Sequence, residues 1–346
     1  MGRPPDHVNA ELREYGHPTV TRSTPANPTP GAARPTGAAC PTSSKIPCDI
    51  TAGMAAALRT SMTQELSTTL PRPVPVTRAA STLPQTDVGL ATAVGIHDVN
   101  EDQALVATSR GQVLATLQPT PLTAPVRDRA LRLLAVVADG MGGHGHGDLA
   151  SALVVRHVAT GMAPHLEHPR PFDAEATLSE LLSEAHLQLR DVALRGGIEP
   201  HFGTTATVAW VEWPRLVVAH VGDSRLYLGR RGRLRAVTRD HTMAEQLRER
   251  GLTEGPAHPR LESTLWNAVN GAAPPQVELF EEVLRPHDTI LMCTDGLHGA
   301  LGEETMARLL WKSAPAPGAA ARLVEHAKRT GHRDDVSAVV LRFEGR

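Results

Sequence analysis

The chain has 346 residues, room for two domains or for one large domain with a tail. Hydrophobic residues make up 41% and charged residues 21%, an ordinary globular mix that allows a sizeable core. With 35 basic against 37 acidic side chains the formal charge is −2, so no basic field exists to attract nucleic acid or an anionic membrane, and neither is expected as a partner. No apolar run reaches the length of about 18 residues that a membrane-spanning helix needs. The stretch Met1–Glu14 lacks the apolar centre of a secretory signal. The three cysteines, Cys40, Cys48 and Cys293, are too few for a disulfide framework and are not spaced as a zinc knuckle, which fits a reducing cytoplasm.

The first 86 residues hold 13 of the 28 prolines and one aromatic, Tyr15. Runs such as Pro71-Arg72-Pro73-Val74-Pro75 cannot pass through a helix or a central strand. With little apolar mass to offset ordering entropy, residues 1–86 are expected to be a disordered tail with a short helix around Met54–Leu66. Residues 87–346 are expected to form the folded domain. There, Leu131–Ala138 is an apolar run ending at Asp139 and a glycine-rich loop, which predicts a buried strand. Ala150, Leu153, Val154, His157 and Val158 repeat at helical spacing, and Leu178–Val192 forms a second such helix closed by Gly196-Gly197.

Strands are predicted at Thr205–Val211, Arg215–Val221, Arg225–Leu228 and Leu234–Val237, joined by links too short for a parallel crossover and therefore antiparallel. Thr242 with Glu245 makes a capping box for a helix ending at Gly251. Later strands are expected at Val277–Val283, Thr289–Cys293 and Val336–Leu341, with helices at Glu303–Lys312 and Pro317–Arg329 before the last. An antiparallel meander with segregated amphipathic helices is an α+β pattern.

Acids recur where these strands begin or end. Asn100-Glu101-Asp102 precedes Ala104–Ala107, Asp139-Gly140 follows Leu133–Ala138, Asp295-Gly296 follows Ile290–Thr294, and Asp334-Asp335 introduces Val336–Leu341. A single Asp-Gly after a strand is commonly a turn. Several at one sheet end would repel unless a cation compensated them, and oxygen donors suit Mg²⁺ or Mn²⁺ rather than zinc. Gly140–Gly145 also matches G-x-G-x-x-G, but Asp139 would oppose a pyrophosphate and the downstream strands are antiparallel, so dinucleotide binding is set aside.

These stretches, together with Gly203-Thr204-Thr205, Val221–Tyr227, Thr238–Thr242, Cys293–Leu297 and Arg333–Ser337, resemble the metal-dependent serine/threonine phosphatases of the protein phosphatase 2C type, in their bacterial branch. The resemblance spans about Val88–Phe343 and leaves out the tail. It implies a four-layer α-β-β-α sandwich, two antiparallel sheets flanked by helices, with two Mn²⁺ or Mg²⁺ ions at one end. By motif position Asp139 bridges both ions, the Gly140 carbonyl binds one, Glu101 serves the second, and Asp295 and Asp334 hold the first. Asp102 stands behind these ligands and orients water, His144 is the expected general acid, and Asp223 falls in a turn beside the site. The implied reaction is hydrolysis of phosphoserine and phosphothreonine in proteins, opposing a serine/threonine kinase or acting on its targets. The alternative is a phosphatase-fold binding or regulatory module with weak or no turnover.

Three departures from the family pattern matter. His97 stands where an arginine usually grips the substrate phosphate, so a weaker, pH-sensitive grip is expected. Asp335 replaces the usual asparagine and adds charge beside Asp334, a change expected to be tolerated. Pro200 occupies the position of a third-ion carboxylate, so a dependable third ion is not expected. The stretch Asp240–Gly271 matches the family's flap over the site, where substrate preference is expected to reside.

Overall fold

The long apolar runs become strands buried on both faces, which is why they read as continuous rather than alternating. The computed structural model describes residues 83–345 except 97, 117–125, 129–131, 143–145, 169, 198–201, 254, 256 and 313–314. The tail and its expected helix around Met54–Leu66 lie outside the described residues. The described chain begins with strand β1 (Gln85–Ala93), whose first residue pairs with Glu344, two positions ahead of the boundary read from composition.

One sheet runs in the order β10 (Arg233–Ala236), β9 (Arg225–Arg230), β13 (Thr289–Cys293), β14 (Val336–Glu344), β1 and β4 (Val126–Asp128). The other centres on β5 (Arg132–Met141). On one side β5 pairs with β7 (Ala206–Glu212), which leads on to β8 (Arg215–Val221) and β12 (Glu278–Val283). On its other side β5 pairs with β2 (Asp102–Thr108), which carries β3 (Val113–Ala115), while β6 (Gly203–Thr204), which carries β11 (Val269–Asn270), meets the end of β5 at Gly140–Met141 in the register that β7 continues. All of these pairings are antiparallel.

Strand β5 shows how the layers form. Leu133, Ala135 and Val137 face the other sheet and pack with Val88, Leu226, Ile290 and Val339. Leu134, Val136 and Ala138 point the opposite way, onto helices α1 (Gly147–Glu167) and α2 (Ala174–Gly196). Leu291 and Cys293 of β13 likewise pack on α6 (Glu303–Lys312) and α7 (Ala316–Arg329). The result is the α+β, four-layer α-β-β-α sandwich of two antiparallel sheets flanked by helices.

Helix ends follow sequence signals. Asp173 caps α2 by accepting from Ala176 N at 3.0 Å, and Gly197 closes it in the left-handed region. Thr242 caps α3 (Met243–Glu249) by accepting from Glu245 N at 3.3 Å, ahead of the single turn α4 (Pro259–Glu262). Caps of this kind contribute about 1 kcal/mol each. A Cβ on Gly161 of α1 would meet the Leu181 side chain of α2, so glycine permits the close approach of the two helices.

Candidate metal centre

Antiparallel pairing brings the acids together. In the β2–β5 ladder Asp102 is the direct partner of Asp139, and one residue on Gly140 N donates to Glu101 O at 3.1 Å. Asp295 begins the short helix α5 (Asp295–His298) at the end of β13, and Asp334-Asp335 lead into its neighbour β14. Four strand ends from the two facing sheets thus deliver carboxylates to one end of the sandwich.

The backbone is tailored to this convergence. A Cβ on Gly140 would run into the Gly147 carbonyl and Glu101 O, and one on Gly147 would strike the Glu101 carboxylate. Glu101 therefore lies against the first residue of α1, where the helix N-terminus favours negative charge. Ser151 Oγ of that helix donates to Glu101 O at 2.6 Å.

Hydroxyls brace the cluster from behind. Thr294 Oγ1 donates to Asp102 Oδ2 at 2.8 Å, and Ser337 N donates to Thr294 Oγ1 at 3.0 Å. Asp139 N donates to Thr205 Oγ1 at 2.9 Å, and Thr204 Oγ1 donates to Asp139 O at 2.8 Å. The Gly-Thr-Thr block thus holds the backbone of Asp139 rather than its carboxylate.

Electrostatics reports the crowding. Burial first, then the charges of Asp102, Asp295, Asp223 and Asp334, push the Asp139 carboxyl well above the ordinary carboxylate range. Asp102 is raised by burial, then by Asp335 and Asp295, against the opposing hydroxyls of Ser337 and Thr294. Asp295 is raised by burial and then by Asp334, while a hydrogen bond with Asp139 works the other way. Asp223 is raised by burial, then by Asp295 and Asp240.

Asp223 stands in the same field of charge, although its block reads in sequence as a turn beside the site. It follows the buried strand β8 as Asp139 follows the core of β5, so the same acid-after-strand signal marks it.

Two buried oxygens of the cluster, Asp102 Oδ1 and Asp295 Oδ1, have no hydrogen-bond partner among the described residues. Among the described residues no three His, Cys, Asp or Glu side chains are already closed round a common point as a metal cage. Crowded, mutually raised carboxylates with unsatisfied oxygens are nevertheless the donor chemistry of a hard divalent cation, and the residues present fit Mg²⁺ or Mn²⁺. His97 and His144 lie outside the described residues, as do Pro200 and its neighbours Glu199 and His201.

Three neutral histidines brace this end of the fold, and one of them, His241, lies at the start of the flap segment. His220 Nε2 donates to Arg239 O at 2.8 Å and its Nδ1 meets Thr207 Oγ1 at 2.9 Å, while burial and then His241 push it down to about 3. His241 Nδ1 accepts from Gly222 N at 3.1 Å and from Asn267 Nδ2 at 2.7 Å, and burial holds it at about 4. His298 Nε2 donates to Asp223 O at 3.0 Å and burial holds it at about 4. The Arg225 guanidinium grips both oxygens of Asp240 at 2.7 and 2.6 Å.

Histidines neutral in the fold but ordinary in the unfolded chain contribute stability that is complete above about pH 6.5. It is lost as pH falls toward their folded values. His220→Gln is expected to flatten the loss between pH 6.5 and pH 5 by about 2 kcal/mol, read by urea unfolding at both pH values. Equal losses in the variant and the wild type would refute this role.

A four-layer sandwich whose two sheets gather buried carboxylates at one shared end defines a class of fold suited to holding hard divalent cations. The Protein phosphatase 2C family profile matches residues 123–328. The chain is 35% identical over 215 residues to the serine/threonine protein phosphatase PstP of Mycobacterium tuberculosis, covering 60% of this chain and 40% of that protein. It is 28% identical over 216 residues to the serine/threonine phosphatase Stp of Listeria welshimeri, covering 60% and 83% of the two chains. The fold superposes on the crystal structure of the M. tuberculosis phosphatase with a TM-score of 0.61 at 26% identity, over 75% of this chain and 99% of that one. It also superposes on the PstP catalytic domain in complex with two manganese ions, with a TM-score of 0.58 at 27% identity, over 75% and 98%. The chain belongs to the protein phosphatase 2C family.

Proposed function

We propose that the chain is a metal-dependent protein serine/threonine phosphatase acting through two Mn²⁺ or Mg²⁺ ions. The observation that carries this reading is the convergence of Asp102, Asp139, Asp295 and Asp334, with Glu101 adjoining, at one end of the sandwich. Asp139 would lie between the two ions, the Gly140 carbonyl and Glu101 would serve one, and Asp295 and Asp334 the other. When bound, such ions ease ionisation of a water and offset charge on the transferring phosphoryl group. Asp102, anchored by Thr294, would orient that water from behind the ligands. By motif position His144 supplies the proton that the leaving serine or threonine oxygen needs, and His97 contacts the substrate phosphate.

The substrates of this reading are phosphoproteins modified by a serine/threonine kinase, or such a kinase itself, in the cytoplasm. Among the described residues no helix is long and apolar enough to cross a membrane. Residues 1–86 stand in this reading as a tail to a catalytic domain at 87–346, supported by the resemblance starting near Val88.

The test is hydrolysis of p-nitrophenyl phosphate and of a phosphothreonine peptide by the full chain. Turnover is expected with added Mn²⁺ and is expected to vanish with EDTA. No Mn²⁺-dependent turnover at high enzyme concentration would instead assign the chain to the binding or regulatory reading.

A further inference from the structure

At the opposite end of the same sheet lies a cavity of about 560 Å³, within the size range of small-molecule sites. Four chain segments close round it. They are the β9–β10 turn at Arg230–Gly232, the β12–β13 turn at Arg285–Asp288, the end of α6 at Trp311, and the end of β14 at Arg342–Glu344. A cavity framed by turns and an exposed indole is a bowl, suited to a compact ligand rather than to an extended segment.

The charge inside is lopsided. Asp288 is consumed by Arg230, which grips it with Nε at 2.8 Å and Nη2 at 2.6 Å, and Arg285 N also donates to it at 2.7 Å. Arg342 donates to Leu310 O and is influenced by Asp87 and Glu344. The guanidiniums of Arg231 and Arg285 are exposed, with no hydrogen bond or ion pair among the described residues. Arg231 is held in a left-handed turn conformation (φ 51°) beside Gly232, which fixes the rim of the bowl.

Trp311, 37% exposed, supplies one wall. Its ring edge lies 3.2 Å from where a Cβ on Gly229 would sit, so the glycine leaves the indole room to lie against the strand. Two unpaired planar cations beside an exposed indole match a ligand with a dense negative group and a flat ring. Guanidiniums form forked hydrogen bonds to phosphate, and an indole offers a stacking face. The chain's own first 82 residues carry eight basic against five acidic side chains and do not complement this charge.

We propose that this cavity binds a small aromatic organic phosphate of the nucleotide class, its phosphates on Arg231 and Arg285 and its ring on Trp311. The site is separate from the metal centre. Thr289 lines the bowl at the start of β13, and Asp295 lies six residues further on, roughly 20 Å along an extended chain.

The test is calorimetric titration of the full chain with ADP, inorganic pyrophosphate and adenosine, alongside p-nitrophenyl phosphate hydrolysis. Saturable ADP binding with a dissociation constant below about 1 mM is expected, tighter than that of either fragment. Arg231→Glu and Arg285→Glu are each expected to weaken it at least tenfold, with hydrolysis and melting temperature unchanged. Trp311→Ala is expected to bring ADP down to the affinity of pyrophosphate. Arg285→Gln serves as the milder variant should a charge reversal disturb folding. Absence of saturation by 5 mM ADP, wild-type affinity in both reversals, or equal binding of ADP and pyrophosphate to wild type would each overturn the proposal. So would a parallel loss of hydrolysis, which would place the nucleotide at the metal centre.

Discussion

Asp139→Asn and Asp295→Asn are each expected to lower Mn²⁺-dependent phosphate-ester hydrolysis by about 100-fold or more, while the metal-free protein melts at the same or a higher temperature. The first half follows from the proposed ligand roles, since an amide is a poor partner for a hard cation and loses the charge that holds it. The second half follows from crowding. Both carboxyls are raised by burial and by neighbouring acids, so each costs stability when ionised without a cation. A group raised in the fold contributes stability that is present below its unfolded value and is lost as pH rises through its folded value. Asparagine is similar in shape and has no charge to lose, so the variants should also show a weaker fall in metal-free stability above the ordinary carboxylate range. Kinetics at saturating Mn²⁺ and thermal melts in EDTA at two pH values read both halves. Wild-type turnover in either variant would remove that residue from the metal centre, and a marked drop in metal-free melting temperature would show that its role is structural.

Much of this arrangement is legible in the residues themselves. Arg215–Val221, Thr289–Cys293 and Glu303–Lys312 emerge with the limits that their patterns suggest, because the two strands are buried almost throughout and the helix buries one regular face through Met306, Leu309 and Leu310. The caps at Thr242 and Gly197 are equally local and equally readable. The strands β6 and β11 have two residues each, too few for any period to show, and exist only because β5 and each other supply partners. The acids announce themselves by position after or before buried runs. What sequence does not convey is what a given carboxylate touches, since the partners of Asp335 lie 240 and 234 residues away.

Asp335 is where that difference has the sharpest consequence. Read as charge, it adds repulsion beside Asp334, and asparagine, the usual family residue, should serve at least as well. The structure gives it another task. Its Oδ1 accepts from Gly95 N at 2.5 Å and its Oδ2 from Glu101 N at 2.6 Å, while the residue is 4% exposed. The carboxylate thus clamps both ends of the segment from Gly95 to Glu101 against the start of β14. Asparagine has one acceptor oxygen, and its amide nitrogen would set a donor against the remaining backbone N–H. A buried donor left unsatisfied costs about 1–3 kcal/mol. Relief of repulsion on Asp102 works in the opposite direction, but Asp335 ranks below burial and both hydroxyl hydrogen bonds among the influences on that carboxyl, so the clamp dominates. Asp335→Asn is therefore expected to lower the melting temperature by several degrees, about 2–4 °C for each kcal/mol lost in a domain of this size. It is also expected to weaken Mn²⁺ binding about tenfold through displacement of Glu101 and Asp102. Asp335→Ala, which removes both acceptors, should exceed it in both measures. Calorimetric Mn²⁺ titration and thermal melts of the two variants decide the matter, and an asparagine variant with wild-type Mn²⁺ affinity and melting temperature would return Asp335 to the role of a tolerated extra charge.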